Sequence, residues 1–124
     1  AHPTVWHLSA TVRARLRAEV DLVDVLVATF PGGSVTGAPK IRAMEIIDEL
    51  EPTRRAVFTG AVVWMRPADF LRSSVAIRTM QVHAGHVTFQ AGGAIVWDSD
   101  PEAEYEETIV KARGMSRALG LELE

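Results

Sequence analysis

Cysteine is absent from the 124 residues of this chain. That absence excludes a disulfide scaffold and any thiolate metal site, and it is compatible with a reducing cytosol. No segment approaches the ~20 apolar residues that a membrane-spanning helix requires, and no basic leader precedes an apolar stretch with a small-residue cleavage site. An excess of positive charge is also missing. Thirteen Lys and Arg stand against 16 Asp and Glu, for a net charge of −3. The signs are interspersed, so no broad face attracts nucleic-acid phosphate or anionic lipid. The expectation is a soluble, cytoplasmic chain with neither nucleic acid nor a membrane as partner. Aromatic residues amount to only 6%, and the three tryptophans, at positions 6, 64 and 97, fall in strand-like runs where a core role is expected.

What is present suits one ordinary domain. Apolar residues make up 48% of the chain, enough to fill a core that hides roughly two-thirds of the unfolded surface. The chain opens at AHPTVWHL without an initiator methionine, and alternation starts almost at once. It reads as a piece of something larger.

Periodicity orders the elements. VRARLR at 12–17 alternates strictly and predicts a strand. In DLVDVLVATF, Asp21 suits an N-cap, and Leu22, Val25, Leu26 and Thr29 follow at helical spacing up to Pro31-Gly32-Gly33, which predicts a short buried helix. APKIRAMEIIDELEP predicts a second helix with Pro39 in its first turn, a stripe of Ala43, Ile46, Ile47 and Leu50, and Pro52 as its stop. Four strand-like runs follow, AVFTGAVVWM, SSVAIRTMQV, HVTFQA and AIVW, separated by RPAD, HAGH and GG, as in an antiparallel meander. Ser99 and Glu102 have capping-box spacing, Asp100-Pro101 suits a helix start, and Gly120 suits a C′ residue. The fold class expected is α+β, a mostly antiparallel sheet with helices packed on one face. Sheet edges left apolar would need a cover.

Five groups of residues could carry chemistry. GGSVTGAPK, residues 32 to 40, puts three glycines ahead of a helix N-terminus, with Ser34 and Thr36 as hydroxyl donors, Gly37 for close backbone approach and Lys40 for positive charge. An anion fits such a place, although the spacing is not that of a nucleotide P-loop. A plain glycine-rich connection between helices explains the same residues. Glu104 and Glu107 lie three apart on one helical face and could converge on a hard cation, magnesium rather than zinc. Equally, Glu107 with Lys111 is an ordinary i,i+4 pair and an acidic first turn suits the helix dipole. Arg78, in the otherwise apolar VAIRTM, needs a carboxylate from a neighbour or a ligand if it is buried. His7 carries an imidazole, a side chain able to donate or accept a proton near neutrality, and is either a proton-transfer group or structural. Gly92 and Gly93 offer backbone amides at a strand junction or simply form a bend, while His83 and His86 flank a turn and read as solvated.

The order of these pieces is more specific than any one of them. VWHLS, FPGGSVTGAPKIRAMEIIDELEP, FTGAVVW, VAIRTM and AGGAIVWDSDPEAEYEET in succession resemble the C-terminal part of the chorismate-utilising enzymes. That family includes anthranilate synthase component I, aminodeoxychorismate synthase component I, isochorismate synthase and salicylate synthase. The wording FPGGSVTGAPK followed by MEIIDELEP is most similar to the aminodeoxychorismate branch, with the anthranilate branch as the alternative and a non-catalytic anion-binding relative as a third. The resemblance implies chorismate as substrate, Mg2+ as cofactor and a glutamine amidotransferase subunit or domain as the source of ammonia. It implies Glu104 and Glu107 as half of the magnesium site, and Arg78 with the backbone around Gly92 and Gly93 as the grip on a substrate carboxylate. It further implies His7 as an aid to departure of the C4 hydroxyl, and Ser34, Thr36, Gly37 and Lys40 as lining of the same pocket. Ala94, Val63-Trp64 and Arg72 depart from the residues frequent in the family. With half of the metal site outside it, residues 1–124 alone are expected to be inactive.

Overall fold

The computed structural model describes residues 9–66 and 69–123. Its first helix, α1 (Leu22–Thr29), is set by Asp21. The Asp21 carboxylate accepts from the amides of Val23 at 2.8 Å and Asp24 at 2.9 Å, and the Asp24 carboxylate accepts from the Asp21 amide at 3.0 Å. This reciprocal box satisfies donors that a helix start otherwise leaves open. The helix ends ahead of Pro31, as its sequence predicts. It is not buried, however: no residue of α1 is enclosed, and Val27 is 76% exposed.

The glycine-rich stretch is not an open loop. Gly33–Thr36 closes one helical turn, α2, and Gly37 carries φ 116°, a conformation natural only to glycine. A Cβ at Gly37 would also meet the Cβ of Ala43 at 3.0 Å. Then α3 (Lys40–Leu50) runs as expected, with Pro39 in the N-cap position and Glu51 as the C-cap. A turn through 56–59 leads into β1 (Ala61–Arg66), which pairs antiparallel with β2 (Phe70–Val75), from Ala61↔Val75 to Arg66↔Phe70. Trp64 and Phe70 meet edge to face at 5.0 Å, and Arg66 grips Asp69 through two bonds across the turn. A second hairpin joins β3 (Met80–His83) to β4 (His86–Phe89) through Ala84 and Gly85, both at positive φ, as a two-residue turn of the I′ kind requires. The chain ends in α4 (Pro101–Ala118). Asp100, not Ser99, caps it, accepting from the Ala103 amide at 2.9 Å. Gly120 at φ 72° closes a Schellman motif, with Leu121 N–H on Ser116 O and Gly120 N–H on Arg117 O.

The α+β class is as expected. The single meander is not: among the described residues the strands form two separate two-stranded sheets. The run 73–82 is cut between β2 and β3, where Arg78 adopts φ 52°, because a left-handed residue turns the chain out of the pleat and ends the ladder. Two predicted strands do not form. Residues 12–17 and 94–97 lack ladder partners among the described residues, and Val12 and Trp97 are 93% and 99% exposed. Trp64 is also largely exposed, so neither described tryptophan is a core residue, and Trp6 lies outside the described residues.

The interior is correspondingly small. Among the described residues Ala76, Ala112, Met115 and Ser116 are buried. The chain exposes 10944 Å², against about 6,500 Å² for a compact protein of its mass. The apolar content is therefore present but not enclosed, and the exposed faces of β1 and α3, with Val62, Trp64, Ile41 and Leu50, have the character of an interface. Among the described residues no helix is long and apolar enough to cross a membrane.

Candidate active site

Two groups of residues come together, and one aromatic ring joins them. The first group lies where the 90–99 segment runs along the start of α4. Asp100 and Pro101 begin that helix so that Glu104, one turn in, turns back toward the preceding chain. Glu104 is half-buried, whereas Glu102, Glu106 and Glu107 are exposed. The Ser99 hydroxyl donates to Glu104 Oε1 at 2.6 Å and accepts from the Val96 amide at 3.0 Å. The other oxygen, Oε2, faces Gly93 so closely that a Cβ there would stand 3.0 Å away. One turn beyond Glu107, Lys111 pairs with that residue and donates to the Gly92 carbonyl oxygen at 3.2 Å. The two glycines and the two carboxylates thus lie together.

This place suits part of a hard-cation site. Its free donors are carboxylate oxygens, which magnesium prefers, and Glu104 Oε2 looks into a cradle that any side chain on Gly93 would fill. It is not a whole coordination set, since among the described residues no three His, Asp or Glu groups converge. The ordinary ion pair between Glu107 and Lys111 is formed as well.

The second group surrounds a cavity of about 500 Å³ bounded by the end of α1, α2, α3 and the 52–60 turn. Thr36, Phe30, Phe58 and Thr59 are among its walls. Arg55 holds the frame together. It donates to both oxygens of Glu51, to Val35 O at 2.8 Å and to Thr59 Oγ1 at 3.4 Å. The Glu51 hydrogen bond raises the Arg55 pKa above the ordinary arginine value, with desolvation opposing and the Glu51 charge assisting. Thr59 itself sits at φ 62°, unusual for a β-branched residue and a mark of local strain. Phe58 connects the groups: its ring lines the cavity and lies 3.8 Å from where a Cβ of Gly92 would be. Gln90 adds a bond to Arg54 O at 3.4 Å.

The residues of the glycine-rich stretch are placed unevenly. Thr36 is half-buried on the cavity wall, but its hydroxyl proton goes to Gly32 O at 3.1 Å, so it offers a ligand lone pairs rather than a donor. Ser34 is exposed, and the Val35 and Gly37 amides are used within the turn. The α2 turn thus uses two of the backbone amides in this stretch. No side chain caps the first amides of α2 or of α3, and Lys40, at the start of α3, is half-buried.

Arg78 is neither in a strand nor buried. It lies in the bend after β2, exposed and without an ion pair among the described residues. Solvation removes the need for an internal carboxylate that burial would have imposed. His7 lies outside the described residues. Sequence reasoning missed Arg55, Phe58 and the Ser99–Glu104 bond. The i,i+4 spacing of Glu51 and Arg55 was the available signal for the first, and the five-residue spacing across a helix start was the signal for the last.

Comparison with known proteins identifies the family. The family model for chorismate binding enzyme matches residues 1–117. An aminodeoxychorismate synthase component 1 from Klebsiella aerogenes is 52% identical over 109 residues, covering 88% of this chain and 24% of that protein. An anthranilate synthase component 1 from Streptomyces coelicolor is 51% identical over 115 residues, covering 93% and 22%. The Escherichia coli aminodeoxychorismate synthase component 1 is 46% identical over 117 residues, covering 94% and 26%. The chain spans about a quarter of the length of these curated relatives. It belongs to the chorismate binding enzyme family.

Proposed function

We propose that the whole protein is an aminodeoxychorismate synthase component I, which converts chorismate and ammonia to 4-amino-4-deoxychorismate in the cytoplasm, for p-aminobenzoate and folate synthesis. A glutamine amidotransferase subunit or domain supplies the ammonia. The observation that carries this reading is the stretch FPGGSVTGAPK followed by MEIIDELEP, together with the 52% identity to the Klebsiella protein of that name.

The substrate is a ring with two carboxylates and an allylic hydroxyl. Glu104 and Glu107 would hold magnesium, with further ligands from elsewhere in the protein; magnesium, when bound, neutralises and orients the ring carboxylate. Arg78, on its solvent-exposed bend, takes the enolpyruvyl carboxylate through a planar fork. The Gly92–Gly93 backbone lets that carboxylate approach without a side chain intervening. Lys40 and the uncapped amides of α3 add positive potential, and Thr36 and Gly37 line the approach with Ser34 at the rim. His7 assists proton transfer to the departing C4 hydroxyl, and nitrogen enters at that carbon.

A second reading is favoured by one finding, the 51% identity to an anthranilate synthase component 1. The two are resolved by incubating the full-length protein with chorismate, magnesium and ammonium and identifying the product by mass spectrometry. Aminodeoxychorismate is expected. Anthranilate overturns the first reading in favour of the second, and chorismate bound without turnover overturns both.

A further inference from the structure

We infer, on the reading of Glu104 as a magnesium ligand, that Ser99 is a positioning residue: its hydroxyl pins Glu104 Oε1 so that Oε2 alone is presented to the cation.

Three observations meet at this carboxylate. Ser99 Oγ donates to Glu104 Oε1 at 2.6 Å, a length in the short range of O–H···O⁻ bonds. The same hydroxyl oxygen accepts from the Val96 amide at 3.0 Å. With that lone pair engaged, the hydroxyl proton is directed to Glu104 and not to solvent. On the other side, Oε2 faces the bare Cα of Gly93, where a Cβ would stand 3.0 Å away. The carboxylate is therefore held at one oxygen and given room at the other. Glu104 is also half-buried, unlike the other acids of the first turns of α4, so its rotamer is restricted before any ion arrives.

The arrangement has a further logic in the helix start. Asp100 is the N-cap, so Ser99 stands at N′ and Glu104 at N4, the two positions that an apolar staple usually occupies. A hydrogen bond there has exchanged apolar contact for orientation of a charged group. Hydrogen bonds to a metal-ligating carboxylate fix its direction, and losing such an outer partner typically weakens metal binding about 10- to 100-fold.

The test uses the full-length protein, magnesium chloride as the titrant in calorimetry, and thermal melting in EDTA as the structural control. Wild type, S99A, S99T and E104Q are compared. S99A is expected to bind magnesium at least about tenfold more weakly, S99T to bind nearly as wild type, and both to melt with wild type in EDTA. E104Q is expected to lose most of the affinity. S99A with wild-type magnesium affinity beside a weakened E104Q overturns the role of Ser99 and leaves the magnesium reading intact. A lowered melting temperature in EDTA with unchanged affinity does the same, by making Ser99 a helix staple only. Wild-type affinity in E104Q overturns the magnesium reading and the inference with it. Should S99A not fold, S99C decides, since a thiol is a weak donor: affinity equal to that of S99T refutes the role, and weaker affinity supports it.

Discussion

The Arg55 guanidinium reaches the Val35 carbonyl oxygen at 2.8 Å across twenty residues of chain. That bond fastens the α2 turn to the C-terminal end of α3 and the strained turn that follows. The cavity wall bearing Thr36 depends on it.

Arg55→Ala should therefore destabilise the full-length protein by about 1–3 kcal/mol, the cost of stranding acceptors in a partly enclosed place. Arg55→Lys should recover only part of this, because an ammonium cannot serve Glu51 and Val35 as a fork does. Denaturant melts of the three proteins measure it. The Arg55 pKa is raised in the folded state, so the stabilisation is complete below the ordinary arginine value and is lost only above a still higher one. Its contribution should not vary across the neutral range.

Gly37 and Gly33 should respond oppositely to alanine. At Gly37 the φ of 116° and the 3.0 Å at which an added Cβ would meet that of Ala43 predict a loss of about 1–3 kcal/mol. At Gly33, within α2 and with open space where a methyl group would project, alanine should be neutral or stabilise by up to about 1 kcal/mol. Paired thermal melts distinguish the two.

In the β3–β4 turn, Ala84 adopts φ 48°, a region costly for alanine and well tolerated by asparagine. Ala84→Asn should raise stability by roughly 0.5–1 kcal/mol, measured as a shift in denaturant midpoint with unchanged slope.

Glu107→Gln removes one carboxylate charge from the acidic pair and releases Lys111, which now bridges Glu107 and Gly92. The magnesium concentration for half-maximal activity should rise about tenfold or more, read from a magnesium titration of chorismate turnover. An unchanged requirement contradicts the placement of Glu107 in the metal site.

Much of this architecture is legible in the residues, and the failures have definite causes. Asp21, Pro52, Asp100-Pro101 and Gly120 act locally, so the helices α1, α3 and α4 follow from short stretches. The HAGH turn is local in the same sense. Residues 12–17 and 94–97 have strand-like patterns, but a strand exists only through a partner, and pattern alone does not supply one. Arg78 illustrates a different limit. Its neighbours Ala76 and Ile77 read as strand, yet the left-handed φ of Arg78 ends the pleat, and no apolar pattern encodes that. At the site, Glu104 and Gly93 could each be named from spacing and type. The packing of Glu104 Oε2 against Gly93, so close that an added Cβ would stand 3.0 Å away, and the Ser99 bond that orients the carboxylate, are products of the folded chain.

On the proposed function, Arg78, the Gly92–Gly93 backbone and the acidic face of α4 serve one carboxylated substrate. The most direct test is kcat/KM for chorismate in the full-length, magnesium-saturated protein with Arg78 intact and with Arg78→Ala. A fall of at least about tenfold, equivalent to about 1.4 kcal/mol, is expected, with the melting temperature unchanged because the side chain is exposed. Equal kcat/KM in the two proteins would contradict it.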